Sequence, residues 1–182
     1  MADSPYPAIT EWRVPRAAIE ATLAAVEPAG RAGLESGVFW LGARESVSIV
    51  RTVVWLHGRG VLEERGRWVV SPEAYGAVAR LADNQDSTML ASAHTHGVGV
   101  PAALSGLDRR HGVRAPGIVA IVIGDGGAQR DARRWSWNTF EDGRFRELRL
   151  EELGRRVTAT DGPVERWKAS ADGCLRWDVE GA

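Results

Sequence analysis

Four histidines occur in the 182 residues, and two of them stand two positions apart in His94-Thr95-His96. On an extended strand residues i and i+2 point to the same side, so both imidazoles can reach one point in space, as a shared metal ion requires. Asp108 follows twelve positions after His96 and three after Ser105, close enough along the chain to fold back as a third ligand. Two histidines and one carboxylate around Zn²⁺ leave a fourth position for water, the ligand set of a catalytic rather than a structural site. The same set also accepts iron, cobalt or nickel. A water activated this way needs a base. Glu35, immediately ahead of the apolar run Ser36 to Leu41, is a carboxylate at a strand edge beside the core.

Each of these residues also has an ordinary structural reading. Ser105-x-x-Asp108 is a helix-start pattern, with serine as N-cap and an acid at the third helical position. Paired histidines serve as satisfied polar residues at sheet edges, and a lone glutamate is usually a surface acid. Their joint occurrence, in order and at the right kinds of structural position, is what points to a metal site.

The surrounding pattern supplies elements to position them. From Pro15, residues Ile19, Leu23 and Val26 recur at helical spacing among alanines, giving a helix with one buried face that ends near Pro28 and Gly30. Ser36 to Leu41 and Val47 to Leu56 read as a β-hairpin rich in Val, Ile, Phe and Trp. A short strand, Trp68 to Val70, leads to Ser71-Pro72, which caps and opens a second helix ending around Asn84. Met89 to Ala93 is a strand running into the histidines, and Gly97, Gly99 and Pro101 prevent any regular element directly after them. Ser105 starts a helix through His111, and Gly117 to Ile123 is the most hydrophobic strand, expected to be central. Trp135 to Leu150 turns at Asp142-Gly143 as an antiparallel hairpin, and Val164 to Ser170 with Leu175 to Val179 forms a last one. The order of elements implies an α+β fold, a mixed sheet with helices packed on its faces.

Set against known families, Glu35-Ser36-Gly37-Val38-Phe39-Trp40-Leu41-Gly42 resembles the glutamate-led, glycine-bounded strand of the JAB/MPN (JAMM) metalloproteases. His94-Thr95-His96 with Ser105-Gly106-Leu107-Asp108 resembles their H-x-H-x7-S-x2-D motif, and the resemblance covers about Pro15 to Leu150. It implies a single JAB/MPN-like domain over 15–150, with a curved mixed sheet in a cytidine-deaminase-like three-layer arrangement. Residues 1–14 are then an N-terminal extension, and 151–182 a C-terminal extension with a β-hairpin packed on the domain. It also implies zinc-dependent hydrolysis of peptide or isopeptide bonds after the C-terminal tail of a ubiquitin-like protein, bacterial and antiphage systems included. On that resemblance His94, His96 and Asp108 bind one Zn²⁺, Glu35 is the general acid/base, and Ser105 stabilises the oxyanion. The implied partners are a ubiquitin-like protein or its conjugates and E1- or E2-like enzymes of the same pathway. Other readings are a hydrolase releasing a small amide from a sulfur-carrier-type protein, a non-catalytic MPN scaffold, and, remotely, a zinc phosphoesterase. In one respect the chain departs from the motif: eight residues, Gly97 to Leu104, separate His96 from Ser105 where the family has seven. A one-residue insertion in a glycine-containing loop costs little closure entropy, so the site is expected intact, with His111 as a substitute ligand if the register fails.

Composition sets outer bounds. Hydrophobic residues at 44% and charged residues at 26% are globular values, and a formal net charge of -1 offers no basic surface that would demand nucleic acid. Cys174 is the single cysteine, which excludes an intrachain disulfide and any multi-cysteine metal site. The opening Met1-Ala2-Asp3-Ser4-Pro5 lacks the features of a signal peptide, and no apolar run is long enough to span a membrane. The expectation is a cytoplasmic protein. The eight tryptophans are expected in core and edge packing, and His57 in a turn.

Overall fold

The apolar strand expected at the centre sets the plan. Val119–Ile123 is buried at all five positions, so both of its faces must be covered. A computed structural model describes residues 9–178 and shows how. Among them the elements run β1 (Glu11–Pro15), α1 (Arg16–Arg31), β2 (Gly37–Ala43), β3 (Val47–Leu56), β4 (Val61–Glu64), β5 (Arg67–Val70), α2 (Pro72–Asn84), β6 (Thr88–Thr95), α3 (Gly106–His111) and β7 (Val119–Ile123). Next come β8 (Ser136–Glu141), β9 (Arg144–Glu147), α4 (Leu150–Arg156), β10 (Val157–Thr160), β11 (Glu165–Ser170) and β12 (Gly173–Arg176).

The main sheet is mixed, in the order β10-β1-β3-β2-β6-β7-β8-β9, with β11 on β3 and β12 on β11. Alternation along β2 assigns the two faces. Val38 and Trp40 pack with Ala21, Leu23, Ala25 and Val26 of α1. Phe39 and Leu41 pack with Val78, Leu81 and Ala82 of α2. On β7, Ala120 and Val122 pack beneath Leu104 at the approach to α3, while Val119, Ile121 and Ile123 join the α1 side. The result is the expected α+β domain in three layers, helix, sheet and helix. Register shifts between Leu41 and Gly42 against β3, and between Trp40 and Leu41 against β6, are β-bulges that bend the sheet at its middle. The buried Trp40 indole keeps its polar atom satisfied by donating to Thr22 Oγ1 on α1 at 2.8 Å.

Several boundaries differ from expectation for identifiable reasons. α1 runs past Pro28 to Arg31 because a proline in the last turn removes one backbone donor and the helix closes the turn without it. Gly30 then meets the turn at Asp125–Gly127 so closely that a Cβ there would lie 2.2 Å from the Gly126 carbonyl oxygen. The segments expected as extensions supply strands to the same sheet: β1 pairs parallel with β3 and β10, and β11 pairs parallel with β3. β3, ten residues long, shares one edge between β1 at Val47–Ile49 and β11 at Thr52–Leu56. The last hairpin forms as β11 and β12; its expected end at Val179 lies outside the described residues, as does the opening Met1 to Pro5. The hairpin after Trp135 ends at Glu147, and Leu150 opens α4 instead of closing a strand. No helix among the described residues is long and apolar enough to cross a membrane.

Candidate metal centre

β6 carries His94 on the face shared with Ser92, which lines the same cavity as Phe39 of β2 and Ala120 of β7. His96 follows one residue beyond the strand, and its backbone is fixed on both sides. Its N–H donates to the Ile123 carbonyl at 2.9 Å, and its own carbonyl accepts from Gly126 at 3.0 Å. The close crossing of Gly30 and Gly126 therefore anchors the second histidine. Between His96 and Ser105 the longer loop is tied down: Asp125 N–H donates to the Val100 carbonyl at 2.9 Å, and Gly99 N–H to the Asp125 carboxylate at 3.0 Å. The additional residue is absorbed there, and α3 begins in register.

Asp108 is held at its place by the start of α3. Its backbone N–H donates to Ser105 Oγ at 3.1 Å, and its Oδ2 accepts from Ser105 N–H at 2.7 Å, a complete capping box. The same carboxylate faces both imidazoles, with Oδ1 3.3 Å from His94 Nε2 and Oδ2 3.4 Å from His96 Nε2. The helix-start reading of Ser105-x-x-Asp108 is thus realised, and the same cap turns the Asp108 carboxylate toward His94 and His96. One donor atom from each of His94, His96 and Asp108 lies within 4.8 Å of the others. His111, the substitute, is exposed and stands outside this group.

Whether these residues suit a metal is answered by an orphan atom. His94 Nε2 is buried and, despite its distance to Asp108, makes no hydrogen bond of acceptable geometry. A buried ring nitrogen without a partner costs about 1–3 kcal/mol unless something else binds it, and the donor set of two imidazoles and one carboxylate is one that zinc takes. Burial raises the Asp108 pKa, but the two imidazoles facing it and the Ser105 contact outweigh it and hold the carboxyl below the usual range. Burial lowers the His96 pKa, while the Asp108 hydrogen bond and the charges of Glu35 and Asp108 raise it by more.

Glu35 stands just before β2, where Gly37 pairs with His94 across to β6. It is 7% exposed, and its backbone N–H donates to the Glu64 carbonyl at 2.9 Å. Burial pushes its carboxyl up; the nearby His94 and His96 pull it back, and Asp108 adds to the rise. The net upward shift moves a carboxylate toward the range useful for proton transfer. Ser36 behind it is locked to Thr95 by the Thr95 N–H to Ser36 carbonyl bond at 2.9 Å. All five residues singled out from the sequence thus converge at one end of β2 and β6.

The sequence reading missed the wall above them. β4 and β5 form a separate two-stranded hairpin, Val61–Glu64 against Arg67–Val70, whose Glu64 holds Glu35 and whose Trp68 ring stacks on His94 with centroids 5.9 Å apart and an 18° tilt. Gly37 makes room for this ring, since a Cβ there would lie 2.6 Å from it. The signal was the pair of short apolar runs, Val61-Leu62 and Trp68-Val69-Val70, on either side of Arg65-Gly66, a short turn ending in glycine. His57, expected in a turn, stacks on Trp55 and pairs with Glu63 at 2.5 Å, away from the metal group.

No protein-family model matches the chain, and no curated protein matches it. Among solved structures, the solution structure of protein DSY2949 from Desulfitobacterium hafniense aligns at a TM-score of 0.59 and 14% identity, covering 83% of this chain and 94% of that one. The crystal structure of AF2198, a JAB1/MPN domain protein from Archaeoglobus fulgidus, aligns at a TM-score of 0.45 and 13% identity, covering 82% and 98%. At such identities the likeness to DSY2949 is one of fold.

Proposed function

We propose that the chain is a metal-dependent hydrolase of the JAMM type, a zinc (iso)peptidase acting after the C-terminal tail of a ubiquitin-like protein. The observation that carries this reading is the group of two buried histidines, His94 and His96, with the half-buried Asp108 and an unpartnered His94 Nε2, beside a buried Glu35 of raised pKa. A divalent metal held by the three residues supplies Lewis acidity toward a carbonyl and lowers the pKa of water. Glu35 accepts the proton of the attacking water and returns it to the leaving amine. Ser105 Oγ accepts from Asp108 N–H, which leaves its own hydroxyl proton free to donate to the carbonyl oxygen under attack. His96 and Asp108 are fixed by backbone bonds and the capping box, so little reorganisation is needed during the reaction. A scaffold that only binds partners has no use for a buried glutamate of raised pKa beside the histidines, which favours the enzymatic reading.

Elemental analysis of wild-type, His94→Ala and Glu35→Gln proteins tests this reading, together with cleavage of ubiquitin-like fusions. Near-stoichiometric zinc in wild type and Glu35→Gln, its loss in His94→Ala, and an about 10²–10⁴-fold loss of cleavage in Glu35→Gln are the expected results. Absence of metal from the wild type, or full cleavage by Glu35→Gln, refutes it.

A further inference from the structure

The metal group opens onto a cavity of about 460 Å³, for which His94 and Asp108 supply part of the floor. The rest of the lining is mostly apolar, with Phe39, Trp68, Tyr75, Leu104, Leu107 and Val113, while Arg67, Ser92 and His111 supply its polar part. Phe39 makes an edge contact with Trp68 at 5.8 Å and meets Tyr75 at 5.2 Å, so three rings from β2, β5 and α2 buttress one another around the space. Among the described residues that line it, Asp108 is the one acid, and it is already committed to two histidines. Arg67 is the one permanent cation.

These walls decide what can enter. A glycine beside the scissile bond leaves the cavity empty. A lysine or arginine side chain finds no free acid there and meets Arg67 instead. A large apolar side chain buries its surface against the three rings while its backbone remains at the metal ligands, because His94 and Asp108 belong both to the cavity and to the metal group.

We infer that this cavity is the specificity pocket of the site and seats a bulky apolar side chain, aromatic or branched aliphatic, on the residue flanking the bond that is cut. The inference rests on the hydrolase reading above and narrows its substrate to extended segments carrying such a residue at the cleavage point.

The test uses zinc-loaded protein and two small hydroxamates, which bind a metal without being cleaved. Acetohydroxamate carries only a methyl group, and phenylalanine hydroxamate carries a benzyl group for the pocket. Calorimetric titration is expected to give an affinity at least about tenfold higher for the phenylalanine compound. Val113→Trp, and the milder Val113→Phe in case the larger ring perturbs folding, should fill the cavity and erase that advantage while acetohydroxamate still binds within about twofold of wild type. Equal affinities in a zinc-bearing wild type overturn the pocket and leave the metal centre standing. An advantage untouched by either variant assigns the benzyl group elsewhere and also overturns it. Failure of the wild type to retain zinc overturns the hydrolase reading, and the pocket with it.

Discussion

At the scale of single residues, Ser105 caps α3 through its Oγ, and the proposed function gives its hydroxyl proton a second, separable task. Replacement by alanine loses the cap, worth about 1 kcal/mol, whereas glycine at an N-cap costs only a few tenths. Neither variant carries a hydroxyl, and both retain the backbone N–H that donates to Asp108 Oδ2. Ser105→Ala should therefore melt lower than wild type and Ser105→Gly close to it, with zinc content unchanged in both. Turnover should fall about 10²–10³-fold in both. Thermal melts, elemental analysis and rates on one substrate check this; a Ser105→Gly variant of full activity leaves Ser105 as a cap alone.

Among the elements, the main sheet places the histidines, but the small β4–β5 hairpin finishes the site by holding Glu35 through Glu64 and covering His94 with Trp68. A different tie joins the far edge. Arg146 on β9 bridges Glu141 on β8 and Glu152 on α4, with Arg156 also reaching Glu141. The Arg146 hydrogen bonds hold the Glu152 carboxyl down at about 2 against an ordinary value of 4.5. A carboxylate with a depressed folded pKa stabilises the fold above its unfolded value, and loses that contribution as pH falls through the folded one. The window is thus from about 4.5 down to about 2, and because the pair is solvent-screened its weight is within about 1 kcal/mol. Arg146→Met should flatten this part of the stability profile and leave neutral pH little changed, as measured by urea midpoints at successive pH values. An unchanged acid slope contradicts the assignment.

For the molecule as a whole, the group of His94, His96 and Asp108 joins β6 to α3, two elements separated by a long loop, so a metal bound there as proposed would couple to global stability. With free zinc a thousandfold above its dissociation constant, the folded state gains about 4.1 kcal/mol. For a chain of this size that raises the melting temperature by roughly 10 °C. Chelation should remove the rise, and His94→Ala should not show it; calorimetry with and without zinc checks both. A melting temperature indifferent to zinc contradicts a site built from both elements.

Much of this was legible in the sequence, because it depends on local physics. His94 and His96 share a side through the two-residue period of a strand, Ser105 and Asp108 declare a helix start, and the apolar runs at Ser36 to Leu41 and Gly117 to Ile123 can only be interior strands. The α+β class came from their order. Long-range proximity was decided by the tertiary structure alone. β11 finds the edge of β3 from the far end of the chain and β1 takes the rest of that edge, Trp68 finds His94 through the gap left by Gly37, and Gly126 finds Gly30. No periodicity encodes which distant surfaces will meet. The pocket of Phe39, Trp68, Tyr75 and Leu104 is assembled from four separate segments, so it exists only once the layers have packed. The sequence thus determined which donor groups can share one point, and the packing decided what that point faces.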